Sequence, residues 1–266
     1  MYAIVFHAHQ KLDRVAHRHL RRLLPAHDQS CFPSIRQVLR FEAGRGPDSA
    51  KLKRHNRSEQ PWHFIDPHNP NDTDLYKQIE QHYNSLVKAL RDNDEVRASF
   101  EAAWLAHALV DGLTPAHHYP YESALASLRG GEPRHTRKGL AGRVFVKQET
   151  ITKSVLHSLK LAGPKGLLTT HAMFEAGAYA IIAPLRFNKA LPSRADLERI
   201  ANKGVIDTFK RLMSEVAELE LYGRFIELGW TRSVTRDVRK ELAPRMVRMI
   251  TLAWYAACHE AGKLEA

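Results

Sequence analysis

The chain has little cysteine: two residues in 266, Cys31 and Cys258, far apart and in no paired motif. That excludes a disulfide framework and a cysteine-based zinc finger, so any metal here is held by nitrogen and oxygen. Long hydrophobic runs are also missing. The longest, residues 176–185, falls far short of the roughly 20 apolar residues a membrane-spanning helix needs. The start, Met1-Tyr-Ala-Ile-Val-Phe-His7, lacks a charged leader ahead of a long apolar stretch; it reads as no secretory signal and points to a cytoplasmic protein. There are no strand pairs with turn signals, no internal repeats and no low-complexity tract. Acidic residues are in deficit, with 29 against 40 Lys and Arg, and the formal net charge is +11. Such a surface attracts polyanions: nucleic acid, anionic lipid headgroups or phosphate esters. Histidine, by contrast, is abundant, and its 16 residues need a reason.

What remains is helical periodicity. It predicts helices over about 9–23, from Pro33-Ser34 to Gly44, over 74–90, from Asp92–Asp94 to Gly112, over 147–161, 169–183 and 196–219, and from Ser233 to about 261 with a boundary at Pro244. The expectation is a single all-α domain over 1–266, with the presumed site within 9–175 and C-terminal helices over 194–262. Residues 44–72 and 112–143 read as long loops, of the kind that carry function on a helical scaffold. In the helix over 147–161, Ile151, Val155, Leu156 and Leu159 are expected to pack on the core with Lys147, Lys153 and Lys160 in water; peripheral contact with an anionic membrane is the alternative. His17 and His19, among Arg14, Arg18, Arg21 and Arg22, read as a solvated basic face. The basic stretch Arg129, Arg134, Arg137, Lys138 and Arg143 is either a guide for phosphate or an ordinary solvated loop.

The densest chemistry is His107-Ala-Leu-Val-Asp111-Gly-Leu-Thr-Pro115-Ala-His117. His107 and Asp111 are four apart and share a helix face. Gly112 reads as the helix end, and His117 follows in the loop beyond Pro115. Asp111 therefore sits at a helix C-terminus, where partial negative charge disfavours a carboxylate and a bound cation would offset the mismatch. His171 and Glu175 are another pair four apart. His63 stands in Trp62-His63-Phe64-Ile65-Asp66-Pro67, Asp48 lies upstream of it, and His9 opens the first helix.

These residues together resemble the zinc-dependent phospholipase C and single-strand-specific nuclease superfamily, an all-α fold with a trinuclear zinc site. The family's central run has His, then Asp four on, Pro eight on and His ten on, as at His107, Asp111, Pro115 and His117. Its upstream His-Phe-x-Asp run is matched by His63-Phe64-Ile65-Asp66, its preceding Asp by Asp48, and its N-terminal His by His9, with Ala16 seven residues later. A final His with an acid four on is matched by His171 and Glu175. The resemblance covers about residues 9–175. It implies that Asp48, His63, His107 and Asp111 hold one zinc and that His117, His171 and Glu175 hold a second. Asp111 would bridge toward a third, shared with His9. It implies too that Phe64 touches substrate. Zinc lowers the pKa of bound water to about 7, and Asp48 would orient or deprotonate that water.

Two features depart from the family. Its third zinc is also held by a processed N-terminal Trp, whereas this chain begins with Met1; two zinc ions are expected, with His7 the only substitute for the third. The gap from His117 to His171 is long, and His135 lies nearer the family's spacing, but position 139 is Gly rather than an acid; His171 with Glu175 is preferred. The reading is a phospholipase C-like phosphodiesterase acting on a phospholipid or related phosphoester. A single-strand-specific nuclease is the alternative, and a non-catalytic zinc-stabilised binding protein a further one. Oligomeric state is not readable.

Overall fold

In a computed structural model, residues 2–25, 30–42, 46–48, 63–120, 124, 127–128 and 150–264 are described, with side chains from residue 8 onward. The organising element is the helix Glu95–Gly112 (α4; α1 to α3 precede it). From Ala98 to Gly112 every residue but Phe100 is buried. A helix apolar on all sides is stable only when enclosed on all sides. Its start is set by Asp94, whose side chain accepts from the Arg97 N–H at 2.9 Å. The preceding Asn93 takes a left-handed backbone (φ 57°), which reverses the chain from α3 (Asp74–Arg91). α3 and α4 therefore form a tight antiparallel pair.

Three further helices complete the enclosure. α1 (Tyr2–Leu23) buries Leu12, Val15, Ala16 and Leu20, as its stripe predicts. α10 (Ala243–Glu260) packs on α1, α3 and α4, and the fully buried Trp254 donates its indole N–H to Ala102 O at 3.1 Å. α7 (Arg194–Ala217) brings Phe209 against the end of α4. Between them run α2 (Ile35–Val38), α5 (Ile151–Ala162), α6 (Leu167–Ile182), α8 (Leu221–Leu228) and α9 (Arg232–Asp237). The class is all-α; no strand occurs among the described residues. No helix among them is long and apolar enough to cross a membrane.

Several expectations need correcting. The second helix is a single turn continued by a 3₁₀ turn, Leu39–Phe41, rather than a helix reaching Gly44. The helix over 196–219 is interrupted at Gly204 (φ 78°), a conformation that side chains other than Gly avoid. His17 and His19 are not on a solvated face: both are buried, held to Pro33 O and Phe187 O at 3.0 Å each. Burial lowers both their pKa values below the ordinary imidazole range, more than the carbonyl contacts raise them. The largest correction concerns α5. Its apolar residues do not pack on the core: Ile151 is 83% exposed and Leu159 54%, while Ser154 is buried. Trp62, His135 and the basic residues 129–143 lie outside the described residues, as do Lys147 and the His7 side chain.

Gly112 is small for a reason other than a helix stop. It remains helical, and a Cβ there would lie 2.5 Å from Phe209 Cζ and 2.6 Å from Leu75 Cδ2. Gly112→Ala should therefore overpack the junction of α3, α4 and α7 and cost about 1–3 kcal/mol. Urea unfolding would show it as a lowered midpoint at unchanged slope; an unshifted midpoint would refute this account of the contact.

Candidate metal centre

Asp111 lies one residue before the end of α4, 3% exposed, with histidines around both its oxygens. Oδ2 contacts His63 Nδ1 closely and lies 3.3 Å from His107 Nε2. Oδ1 lies 3.4 Å from His9 Nε2 and 3.7 Å from His117 Nδ1. Each histidine arrives from a different place: His9 from α1, His63 from the irregular segment before α3, His107 from one turn earlier on α4. His117 comes from the 3₁₀ turn Pro115–His117. That turn is fixed by Thr114, which receives the His117 N–H at 2.8 Å, and by Ile65, whose N–H donates to His117 O at 3.1 Å. The last bond ties the His63 segment to the His117 turn.

Two more carboxylates extend the cluster. Asp48 Oδ1 stands 3.8 Å from His107 Nε2 and 4.0 Å from His63 Nδ1. Glu175 Oε1 stands 3.1 Å from both His117 Nε2 and His171 Nε2. The possible ligand atoms fall into three adjoining groups: His9, His107 and Asp111; Asp48, His63 and His107; His117, His171 and Glu175. All eight residues singled out in the sequence are thus brought together. His107 serves two groups, and Asp111 touches members of all three. A small cavity of about 40 Å³ lies between His9, Asp111 and Glu175, room for one water-sized ligand.

The electrostatics follow from this crowding. Burial raises the pKa of Asp111, but His107, His117 and His63 outweigh it and hold the carboxyl well below its ordinary range. Burial opposes a charge on His107, yet Asp111, Asp48 and Glu42 push its pKa well above that of a free imidazole. Glu175 is likewise held low, by His171 and His117 against the effect of burial. His118, next to the cluster, is turned away. Burial lowers its pKa to about 4, and Nε2 donates to Gly112 O at 2.8 Å. It satisfies a terminal carbonyl of α4 and is no competitor to His117.

The residues present fit a divalent metal. His107 has neither ring nitrogen in a hydrogen bond, and His9 Nδ1 is also without one. Buried polar atoms left so are costly unless a cation takes them. The set is imidazole and carboxylate with no thiolate, which suits zinc and also manganese, iron, cobalt or nickel.

Two acids behind His107 escaped the sequence reading. Glu42 Oε1 is 3.6 Å from His107 Nδ1, and both residues are buried. Asp13 is 1% exposed with neither oxygen hydrogen-bonded; burial and then Glu42 push its pKa well above the carboxylate range, so the neutral acid is favoured. Asp13 falls four residues after His9 on α1, a spacing that puts both on one face and was the available signal. Glu42 has none, since its place depends on the 3₁₀ turn.

No protein-family model, curated protein or solved structure matches this chain.

Elemental analysis of the purified protein should find two or three metal ions per chain, one for each group occupied, and fewer in His107→Ala and in His171→Ala. A metal-free protein would remove the centre altogether. Because His107 has its pKa raised, incoming metal must displace its proton, so affinity rises with pH. Calorimetry at pH 7 should show release of about one proton or more on binding, as a dependence of heat on buffer ionisation enthalpy. Heat independent of buffer would refute the raised pKa of His107.

Proposed function

We propose that this protein is a metal-dependent phosphodiester hydrolase of phospholipase C type, with zinc as its metal. The observation that carries the reading is the arrangement of three donor groups around one shared carboxylate and one shared imidazole. Adjoining metal groups suit in-line displacement at phosphorus, where attacking and leaving oxygens both need charge stabilisation. When bound, the metal would supply Lewis acidity to the phosphoryl oxygens.

The protein's own side chains have separable tasks in this reading. Asp48 is the most solvent-accessible of the three acids, at 27% of its side chain, and is placed to accept a proton from an attacking water. Asp111 and Glu175, held ionised, keep their imidazole neighbours oriented toward the groups. Phe64 is half-buried, its ring 5.0 Å from His117 and 6.1 Å from His171; it forms an apolar wall for substrate beside the centre. The lipid substrate is supported by the outward apolar face of α5, a helix whose inward Leu161 packs on Phe64 beside the same histidines.

A second reading, a single-strand-specific nuclease, is favoured by a different surface. An open groove of about 980 Å³ carries Arg186, Lys189, Arg232, Arg236, Arg239 and Lys240 against a single acid, Glu241, which Arg245 engages at 2.6 Å. Its wall is clamped to α1. Phe187 holds a left-handed backbone (φ 52°), its carbonyl receives His19, and Arg18 donates to Arg186 O at 2.8 Å. Such a groove suits a phosphate backbone.

A soluble chromogenic phosphodiester should be hydrolysed by the zinc-loaded protein, lose turnover on chelation and regain it with zinc. Asp48→Asn, assayed in excess zinc, should lower kcat about 100-fold or more. Faster cleavage of liposomal phospholipid than of single-stranded DNA supports the first reading, and the reverse the second. Full zinc occupancy with no cleavage of any of the three would sink both and leave a zinc-stabilised binding protein.

A further inference from the structure

α5 is built inside out. Its inward residues are Ser154, His157, Ser158 and Leu161, of which Ser154 and Leu161 are buried. The serine hydroxyls donate to carbonyls one turn back, Ser154 to Thr150 O at 2.9 Å and Ser158 to Ser154 O at 2.7 Å. His157 Nδ1 donates to Leu128 O at 3.0 Å. The outward residues are Ile151, Val155, Leu156 and Leu159, each about half exposed or more, and Met173 of the next helix, α6, is exposed as well. These five make up most of the nine large hydrophobic side chains exposed among the described residues. A surface helix ordinarily turns such a stripe inward, and a gathered apolar patch marks a face that is covered in use.

The charges around it say by what. Lys153, Lys160 and Lys165 are exposed on or just beyond α5, and between Glu149 and Glu175 the sequence has no Asp or Glu. An apolar face flanked by lysines has the chemistry of a helix lying in an anionic lipid interface. A second copy of the chain fits less well. A stable interface needs about 800 Å² from each partner, and pairing this face with itself would set like-charged lysines together.

The position is also apt. Leu161, on the inward side, packs against Phe64, whose ring contacts His117 and His171. One helix diameter, about 10–12 Å, and the Phe64 ring thus separate the apolar face from the histidines.

We propose that the outward face of α5 docks on an anionic bilayer and brings the metal centre to phosphodiesters of the lipid headgroup layer. Only the identity of the substrate rests on the phospholipase reading; docking itself needs no turnover. The test is co-sedimentation of the zinc-loaded protein with vesicles of phosphatidylcholine containing about one-third phosphatidylglycerol, typical of an anionic surface. Wild type should bind these, bind pure phosphatidylcholine weakly, and lose binding at high salt. Ile151→Ser with Leu159→Ser, and separately Lys153→Glu with Lys160→Glu, should each weaken binding about tenfold or more. Val96→Ser, which removes an exposed apolar residue on α4, should leave it unchanged. The α5 variants should keep wild-type turnover of the soluble diester, which shows that the fold and centre persist. Wild type that stays in the supernatant with anionic vesicles overturns docking. So does a wild-type dimer that the serine variants convert to monomer, since the face would then be covered by a second copy. Vesicle binding without hydrolysis of any diester would leave docking standing and remove the hydrolase reading alone.

Discussion

One carboxylate governs this structure. Asp111 is buried at the end of a helix whose dipole points its negative pole there, an unfavourable place for an anion. Four imidazoles make it tolerable, and each must be delivered by a separate piece of chain. The requirement reaches far. α4 has to be enclosed on every side to keep water from the carboxylate, which explains its nearly all-apolar sequence. Gly112 has to be small so that α3 and α7 can close over the same end. The Thr114–His117 turn and the Ile65 N–H fix two of the imidazoles to each other. Removing the Asp111 charge would leave several basic groups crowded together with no common partner.

The abundance of histidine also resolves into distinct uses. Five surround the carboxylates of the centre. His17, His19 and His118 hold backbone carbonyls where helices and turns end, and burial favours their neutral forms. His82 pairs with buried Glu101 of α4 at 2.6 Å. Imidazole serves each role because it can accept a metal, donate to a carbonyl or pair with an acid without carrying a fixed charge. The acids are divided in the same way: Asp111 and Glu175 face the histidines directly, while Glu42 and Asp13 stand behind His107. Carboxylates in such outer positions set the orientation of a metal-binding ring.

The helices that bury a continuous stripe were legible in the sequence, because their periodicity reports directly on which side faces the core. α1 and α3 are of this kind. So were the pairs His107 with Asp111 and His171 with Glu175, whose closeness follows from helical spacing alone. His9, Asp48 and His63 could be joined to them only through resemblance, since nothing local brings those elements together. The misreadings have a common cause. An apolar stripe states that a face avoids water, not what covers it, and α5 turns its stripe outward. A histidine among arginines looks solvated, yet His19 is claimed by a carbonyl 168 residues away. The break at Gly204 carries no local mark beyond the glycine itself.

The seating of His9 has a consequence for how the molecule is made. Its helix, α1, rests chiefly on α10, where Thr251 Oγ1 reaches Ala16 O at 3.5 Å across 235 positions. His63, His107, His117, His171 and Glu175 are all synthesised well before α10, and their elements can begin to gather as the chain emerges. The helix that carries His9 touches α4 and α6 as well, but its largest contact is missing until residues 243–260 exist. Contacts this distant in sequence are slow to form because the intervening chain must first lose its freedom. The earliest histidine of the cluster in the sequence therefore gains its firmest seat only from the last helix of the chain.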